Sequence, residues 1–363
     1  MKFIQFIGTQ RSGSNLLRTM LNQLPEITAP HPPHILETFG SLLPIYGDLT
    51  NHSNFESLVN DVCSWVELNP VTWHISNFNR AVMKDRCKEN TLIELFYEVY
   101  SYYSELHNSE YTCCKSMSNV HQYQDLETAG INPHYVYLHR DGRDVACSFK
   151  KAIVGEKHVY HIAKQWKADQ EKSLEVKQKI PSNRFIEVNY RDLITDTKSI
   201  LEKVCSFLNV PFRHNMLDYF HAEESINTAR SGEMWKNLSQ PIMAGNYNKY
   251  LKELLSEEIK IFERVAGDIL ENLDYTLTTD HKSMSEIGKQ DIKTYSLQNS
   301  QLKKEAILMA DKHDIEVRCP QIELLNKLKK ELATKKKVPI EISMKNNERQ
   351  KSEIMSGNLK IVS

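Results

Sequence analysis

The sequence predicts an α/β domain of three layers, α/β/α, with a central, mainly parallel sheet and a helical C-terminal extension. Three observations carry this reading. Strand-like apolar runs alternate with amphipathic helical stretches as far as about residue 273, which is the pattern of βαβ units. The first run, Phe3-Ile4-Gln5-Phe6-Ile7, enters a glycine-bearing loop and then a helical stretch. The composition also shifts near residue 280: residues 281–363 hold 17 Lys/Arg against 11 Asp/Glu, about +6, in a chain whose net charge is −1. The division is therefore a domain over 1–279 and a charged, helical extension over 280–363.

In chain order, residues 2–7 read as a strand. Leu16, Leu17, Met20, Leu21 and Leu24 then recur at helical spacing until Pro25 stops them. Residues 26–52 read as a loop containing the unusual stretch APHPPHILETF. Residues 91–107 fit a helix with Leu92, Leu95, Phe96, Val99, Tyr103 and Leu106 on its apolar face, and a short strand follows over 111–115. Tyr135-Val136-Tyr137-Leu138 is a second clear strand running into HRDGRDVACSFKK, a turn and a helix start. Helices are expected over 157–179, 196–208 and 255–273, and a strand over 184–188. The extension shows helical segments at 302–312 and 322–333 and a basic run, Lys335-Lys336-Lys337. It reads either as a weakly packed appendage or as a partner-binding or dimerising segment, which leaves a homo-oligomer open.

Whole-chain properties exclude several classes. At 40% hydrophobic and 26% charged residues the composition is that of an ordinary globular protein. A net charge of −1 provides no general field for nucleic acid. No apolar run approaches the roughly 18–20 residues of a membrane span, and MKFIQFIGTQ reads as a strand rather than a signal peptide. The seven cysteines form no CxxC pair, so free thiols in a reducing, cytoplasmic compartment are expected.

Two stretches carry chemistry. Gly8, four residues and Gly13 reproduce the spacing of a phosphate-binding P-loop, placed between strand and helix as that motif requires. Ser14 and Asn15 occupy the positions where an ATP or GTP loop carries Lys and Ser/Thr. The loop keeps backbone N–H groups at a helix N-terminus, and Gln10, Arg11, Ser12, Ser14 and Asn15 add side-chain donors. Without the lysine that reaches β- and γ-phosphates, a nucleoside triphosphate fits poorly, and a shorter anion chain fits better. A ligand-free Gly/Ser turn would use the same residues. The second stretch is VYLHRDGRDVACSF, where Arg140, Arg143 and Ser148 follow a strand end. Arginine suits bidentate phosphate recognition. Asp141 and Asp144 read as caps and ion-pair partners, although a surface loop laced with ion pairs would look similar. Two anion sites at strand carboxyl ends of one sheet would accept a nucleotide with phosphates at both ends.

At this point the residues resemble a known family. FIGTQRSGSNLLRTML resembles the 5′-phosphosulfate loop of sulfotransferases that use 3′-phosphoadenylyl sulfate (PAPS), and VYLHRDGRDVACS resembles their 3′-phosphate motif. CKSMSN, FIEVNYRDLITDTKSILEKVCSFLNVPF, SGEMWKNLSQ and FERVAGDILENLDY resemble further segments in the family's order, so the likeness spans about residues 1–276. The resemblance implies a P-loop NTPase-like fold, PAPS as co-substrate and no essential metal. It implies a transferred sulfonate held by the loop, including Gly13, and a 3′-phosphate held by Arg140 and Ser148. Arg230 and Lys236 in the late loop would add phosphate contacts.

Sulfonate transfer needs a base to take a proton from an acceptor hydroxyl or amine. In tyrosylprotein-type members of the family a Glu follows the first helix. Counting here puts that position near His31 or Pro32, so the acidic pattern is absent. His31 is the expected replacement, with a usable unperturbed pKa of about 6.5, and His34 and Glu37 are the alternatives. Lys115 is expected to stabilise charge on the bridging oxygen. The aromatic-rich insert over 40–110 is expected to line or cover the site of a small-molecule, carbohydrate or peptide acceptor, although core packing explains those aromatics equally. Two rival readings stay open: a P-loop kinase-like transferase, and a non-catalytic adenosine bisphosphate-binding module.

Overall fold

The computed structural model describes the backbone of residues 1–355 except 76, 281 and 283, with side chains through residue 335. Residues 356–363 of the extension, and the side chains of Lys336 and Lys337 in its basic run, lie outside the described residues.

Five strands form one sheet: β1 (Lys2–Ile7), β2 (Ile27–Thr28), β3 (Tyr111–Cys114), β4 (His134–His139) and β5 (Phe185–Asn189). Their order is β2-β3-β1-β4-β5, and every described pairing is parallel. Ile4 on the central strand faces Cys113 of β3 on one side and His134 of β4 on the other. A parallel strand covered on both faces needs apolar residues at nearly every position, and Phe3, Ile4, Phe6 and Ile7 are all buried. Gln5, the polar exception, donates to the Ser116 carbonyl at 3.0 Å.

Alternation along the strands feeds two cores. Ile4, Phe6, Val136 and Leu138 pack with Leu17 and Met20 of the first helix (Ser14–Leu21) and with Leu201 and Val204 of the helix Thr197–Leu208. On the other face Ile7, Tyr135 and Tyr137 pack with Val145, Trp166, Phe262 and Leu270. A third core belongs to the insert, where the helices His52–Glu67 and Leu92–Leu106 bury Trp73, Phe78 and Tyr100.

The fold class matches the sequence expectation, with two local differences. The stretch read as a loop over 26–52 contains the two-residue strand β2 and a short helix, Ile35–Gly40. The extension is helical, but it does not behave as a weakly packed appendage over its described side chains. Its first helix, Lys289–Leu308, lies on Val159–Lys179. There the Asn299 Oδ1 accepts the backbone N–H groups of Lys157 and His158 at 2.8 and 2.9 Å. Its second helix, Lys312–Met355, returns across the insert, where Leu328 is 1% exposed within the insert core. Among the described residues no helix is long and apolar enough to cross a membrane.

Candidate active site

A cleft of about 670 Å³ opens at the carboxyl ends of β1 and β4, beside the strand at which the sheet order reverses and where open α/β sheets bind ligands. Its floor is the loop between β1 and the first helix. Gly8 has φ 116° and Gly13 has φ 90°. A Cβ on Gly8 would stand 2.4 Å from the Leu138 carbonyl oxygen, and one on Gly13 would stand 2.4 Å from the Tyr190 ring, so both positions require glycine. The helix that follows has no side-chain N-cap and no acid in its first turn. Its first N–H groups therefore remain for an external anion.

Arg11, in the left-handed region at φ 72°, ties three segments together. Its Nε donates to Ser148 Oγ at 2.9 Å, and its Nη2 donates to the Met234 carbonyl at 3.2 Å. Burial and the nearby Arg140 lower its pKa to about 10, which still leaves it charged at neutral pH. Arg140 follows β4 directly. It donates to the Arg11 carbonyl at 3.3 Å and the Asn246 carbonyl at 3.0 Å, and it lies over the Tyr190 ring at 4.5 Å. Its Nε is buried without a partner. Lys115, just beyond β3, is buried with no carboxylate paired to it among the described residues. Burial, then Arg18 and Arg11, bring its pKa down to about 7. Together they gather positive charge around the loop.

The proline-rich loop forms the opposite wall. His31 is buried, and its carbonyl accepts from Trp73 Nε1 at 2.6 Å. The Asn69 amide donates to the Val71 carbonyl at 2.8 Å and lies 3.3 Å from both the His31 carbonyl and Nδ1. The His31 Nε2 is buried with no partner. Burial, then Lys115 and Arg18, hold its pKa well below the usual histidine value. His34 sits at φ 55°, just before the helix Ile35–Gly40, a costly conformation for a residue with a side chain. Its Nδ1 lies 3.4 Å from Glu37 Oε2, which also accepts from Ser118 Oγ at 2.6 Å. The His34 contact in particular holds the Glu37 pKa down to about 2.

Of the residues expected from sequence, Gln10, Arg11, Gly13, Ser14, Asn15, His31, His34, Glu37, Lys115, Arg140, Ser148 and Lys236 all line this cleft. Ser12 is buried beneath the loop with its Oγ unpartnered and is not a lining residue. Arg230 also lies off the lining, with its carbonyl accepting from His313 at 3.1 Å. Lys236 is at the rim and paired with Glu233 at 2.6 Å. Arg143 turns away into a buried ion network. Sequence reasoning missed Tyr190, although it stands in a motif that was noticed, and Asn69, Trp235, Asn246 and Arg318. Trp235 also stands in a segment that was noticed, SGEMWKNLSQ, whereas Asn69, Asn246 and Arg318 have no local pattern to mark them. Among the described residues no cluster of three or more His, Cys, Asp or Glu could hold a metal ion.

The sequence model described as "Sulfotransferase family" matches residues 4–214. No curated protein matches. Among solved structures, the sulfotransferase domain from the Synechococcus PCC 7002 olefin synthase is similar. It has a TM-score of 0.52 and 21% identity, and the match covers 76% of this chain and 96% of that one. The sulfotransferase domain from the curacin biosynthetic pathway gives a TM-score of 0.49 and 21% identity, covering 76% and 99%. At such identity the first likeness speaks for the fold alone.

Proposed function

The chain belongs to the sulfotransferase family, and from that premise we propose that it transfers a sulfonate group from PAPS to an acceptor hydroxyl or amine. One observation carries the reading. A P-loop-shaped turn without its lysine and an arginine at the end of the neighbouring strand open on the same cleft, and Arg11 links the loop to Ser148. A kinase-like alternative would favour an acidic residue at the end of β4, where His139 and Arg140 stand instead.

PAPS, when bound, supplies a sulfonate already activated by its phosphate leaving group. In this reading the loop N–H groups, Ser14, Asn15 and Arg11 hold its 5′ end, and Arg140 and Ser148 hold the 3′-phosphate. Lys115 offsets charge developing on the bridging oxygen. We assign the base to His34 rather than to His31, the first expectation from sequence. Burial, then Lys115, holds the His31 pKa well below its usual value, which makes its ring a weak proton acceptor. His34 has a carboxylate beside its ring, Glu37 Oε2 at 3.4 Å from Nδ1, which can orient the imidazole with Nε2 toward the acceptor.

Adenosine 3′,5′-bisphosphate should raise the melting temperature of the protein. Saturation at ~100-fold over Kd corresponds to about 2.7 kcal/mol. ATP with Mg²⁺ should do far less, and equal shifts from the two would sink the donor assignment. Arg140→Ala should weaken bisphosphate binding by roughly 10- to 150-fold, the equivalent of charge-assisted bonds worth about 1.5–3 kcal/mol. Adenosine 5′-phosphosulfate, which lacks the 3′-phosphate, should bind nearly as before. A parallel loss for both ligands would show that Arg140 serves the loop or the fold.

A further inference from the structure

Beyond the donor half, the cleft contains a cation that the reading above does not use. The helix Lys312–Met355 contributes Arg318, Gln321 and Leu325 to the lining, and their spacing of three and four places them on one helix face. The family match ends at residue 214, well before this helix. Gln321 Nε2 donates to the Trp65 carbonyl at 2.8 Å, and Trp65 Nε1 donates to the Pro33 carbonyl at 2.5 Å, between the two loop histidines. The helix is thereby attached to the wall that carries His31 and His34.

The Arg318 guanidinium lies over the Trp235 ring at 4.8 Å, and the same ring meets His31 edge-on at 4.7 Å. Met234 stands between Arg318 and the loop arginine. Arg11 donates to its carbonyl at 3.2 Å, whereas Arg318 Nη2 lies 3.3 Å from its sulfur. Arg318 is only partly committed. Its carboxylate neighbour, Asp314, is at 3.4 Å and also accepts the Glu233 backbone N–H at 3.1 Å, while the Arg318 Nε is buried with no partner. The acids that line the cleft are engaged elsewhere: Asp144 with Arg140, Glu253 with Lys151, Glu233 with Lys236 and Glu37 with His34. Arg318 thus reaches His31 through the Trp235 ring and Arg11 across Met234, and no acid of the cleft lining is paired with it. A buried cation with open donors is stabilised by an anion that pairs with it.

We propose that Arg318 is a specificity-determining residue that selects an acceptor bearing a carboxylate-type anion beside its reacting hydroxyl or amine. This rests on the sulfotransferase reading of the cleft. The geometry divides the work, with the loop, Arg11 and Arg140 facing the nucleotide and Arg318 facing the acceptor.

The test uses the full chain saturated with adenosine 3′,5′-bisphosphate and titrated calorimetrically with benzoate and, as a neutral counterpart, benzyl alcohol. Benzoate should bind the unaltered protein at least about 10-fold more tightly than benzyl alcohol, as expected for a hydrogen bond to a charged group. Arg318→Gln should remove that advantage, and Arg318→Lys should retain most of it. Equal affinity for the two probes in the unaltered protein overturns the proposal and needs no variant that folds. An unchanged benzoate affinity in Arg318→Gln overturns it too. So does a loss seen in Arg11→Ala but not in Arg318→Gln, which would place benzoate at the sulfonate position. Failure of the unaltered protein to bind the bisphosphate would instead count against the donor assignment.

Discussion

Replacing His34 with alanine should lower kcat by ~10²–10⁴-fold, the usual contribution of a positioned general base, and should leave bisphosphate affinity nearly unchanged. The expectation follows from the pair of side chains on the proline-rich loop. His34 Nδ1 faces the Glu37 carboxylate at 3.4 Å, whereas His31 Nδ1 faces an Asn69 N–H donor. Of the two, only His34 has a carboxylate beside a ring nitrogen. Glu37→Gln keeps the size of the side chain and removes its charge. The carboxylate is ionised at all working pH values, with its pKa held at about 2. Glu37→Gln should lower kcat by less than His34→Ala and should leave bisphosphate affinity nearly unchanged. Near-full activity in His34→Ala together with a large loss in His31→Ala would return the role to His31.

Arg143→Met should destabilise the protein by about 3–5 kcal/mol, because it leaves buried carboxylates without their cation. Arg143 is 1% exposed in its side chain and Glu263 is 0% exposed, and they pair at 2.5 Å. Arg143 also donates to Asp141 at 2.7 Å and to the Thr276 carbonyl at 2.9 Å, and its guanidinium lies over Tyr250 at 4.0 Å. Burial pushes the Glu263 carboxyl up. The Thr279 and Thr278 donors and Arg143 outweigh that and hold it below its usual value. A carboxyl held low in the folded state contributes stability above its unfolded pKa of about 4.3 and loses it as pH falls through the folded value. Urea unfolding near pH 7 should show the full loss in Arg143→Met. A difference under about 1 kcal/mol would mean that the network relaxes or admits water when the arginine is removed. Asp141 also caps the helix Gly142–Lys151, which carries Ser148, so bisphosphate affinity should weaken in the same variant.

Much of this protein was legible in the sequence because its signals are local. The apolar runs that became β1, β4 and β5 announce buried parallel strands. Gly8 and Gly13 mark backbone that no other residue adopts there, and strand-loop-helix order gives the loop its meaning. The helix His52–Glu67 was legible too, through Phe55, Leu58, Val59, Val62 and Val66 at helical spacing, but it was not read. The two-residue β2 has too few positions to show a period and is held by β3 across more than 80 residues of chain. Charge identity also misled where geometry decides. Arg140 and Arg143 are equivalent by type and three positions apart, yet one turns to the cleft and the other to Glu263, a partner 120 residues away. The order of His31, His34 and Glu37 depended on which polar atom each ring meets, and those partners come from the insert and from the helix just beyond. Packing of the extension, and with it the place of Arg318, depended on the Trp65 carbonyl and the Trp235 ring, contacts made only after the chain has returned across the insert. Periodicity and turn chemistry act between near neighbours, so the sequence by itself determined the strands, most helices and the phosphate-type loop. Contacts between distant segments depend on the whole packed chain, so tertiary structure alone decided which charged side chains share the cleft, and in what state of protonation.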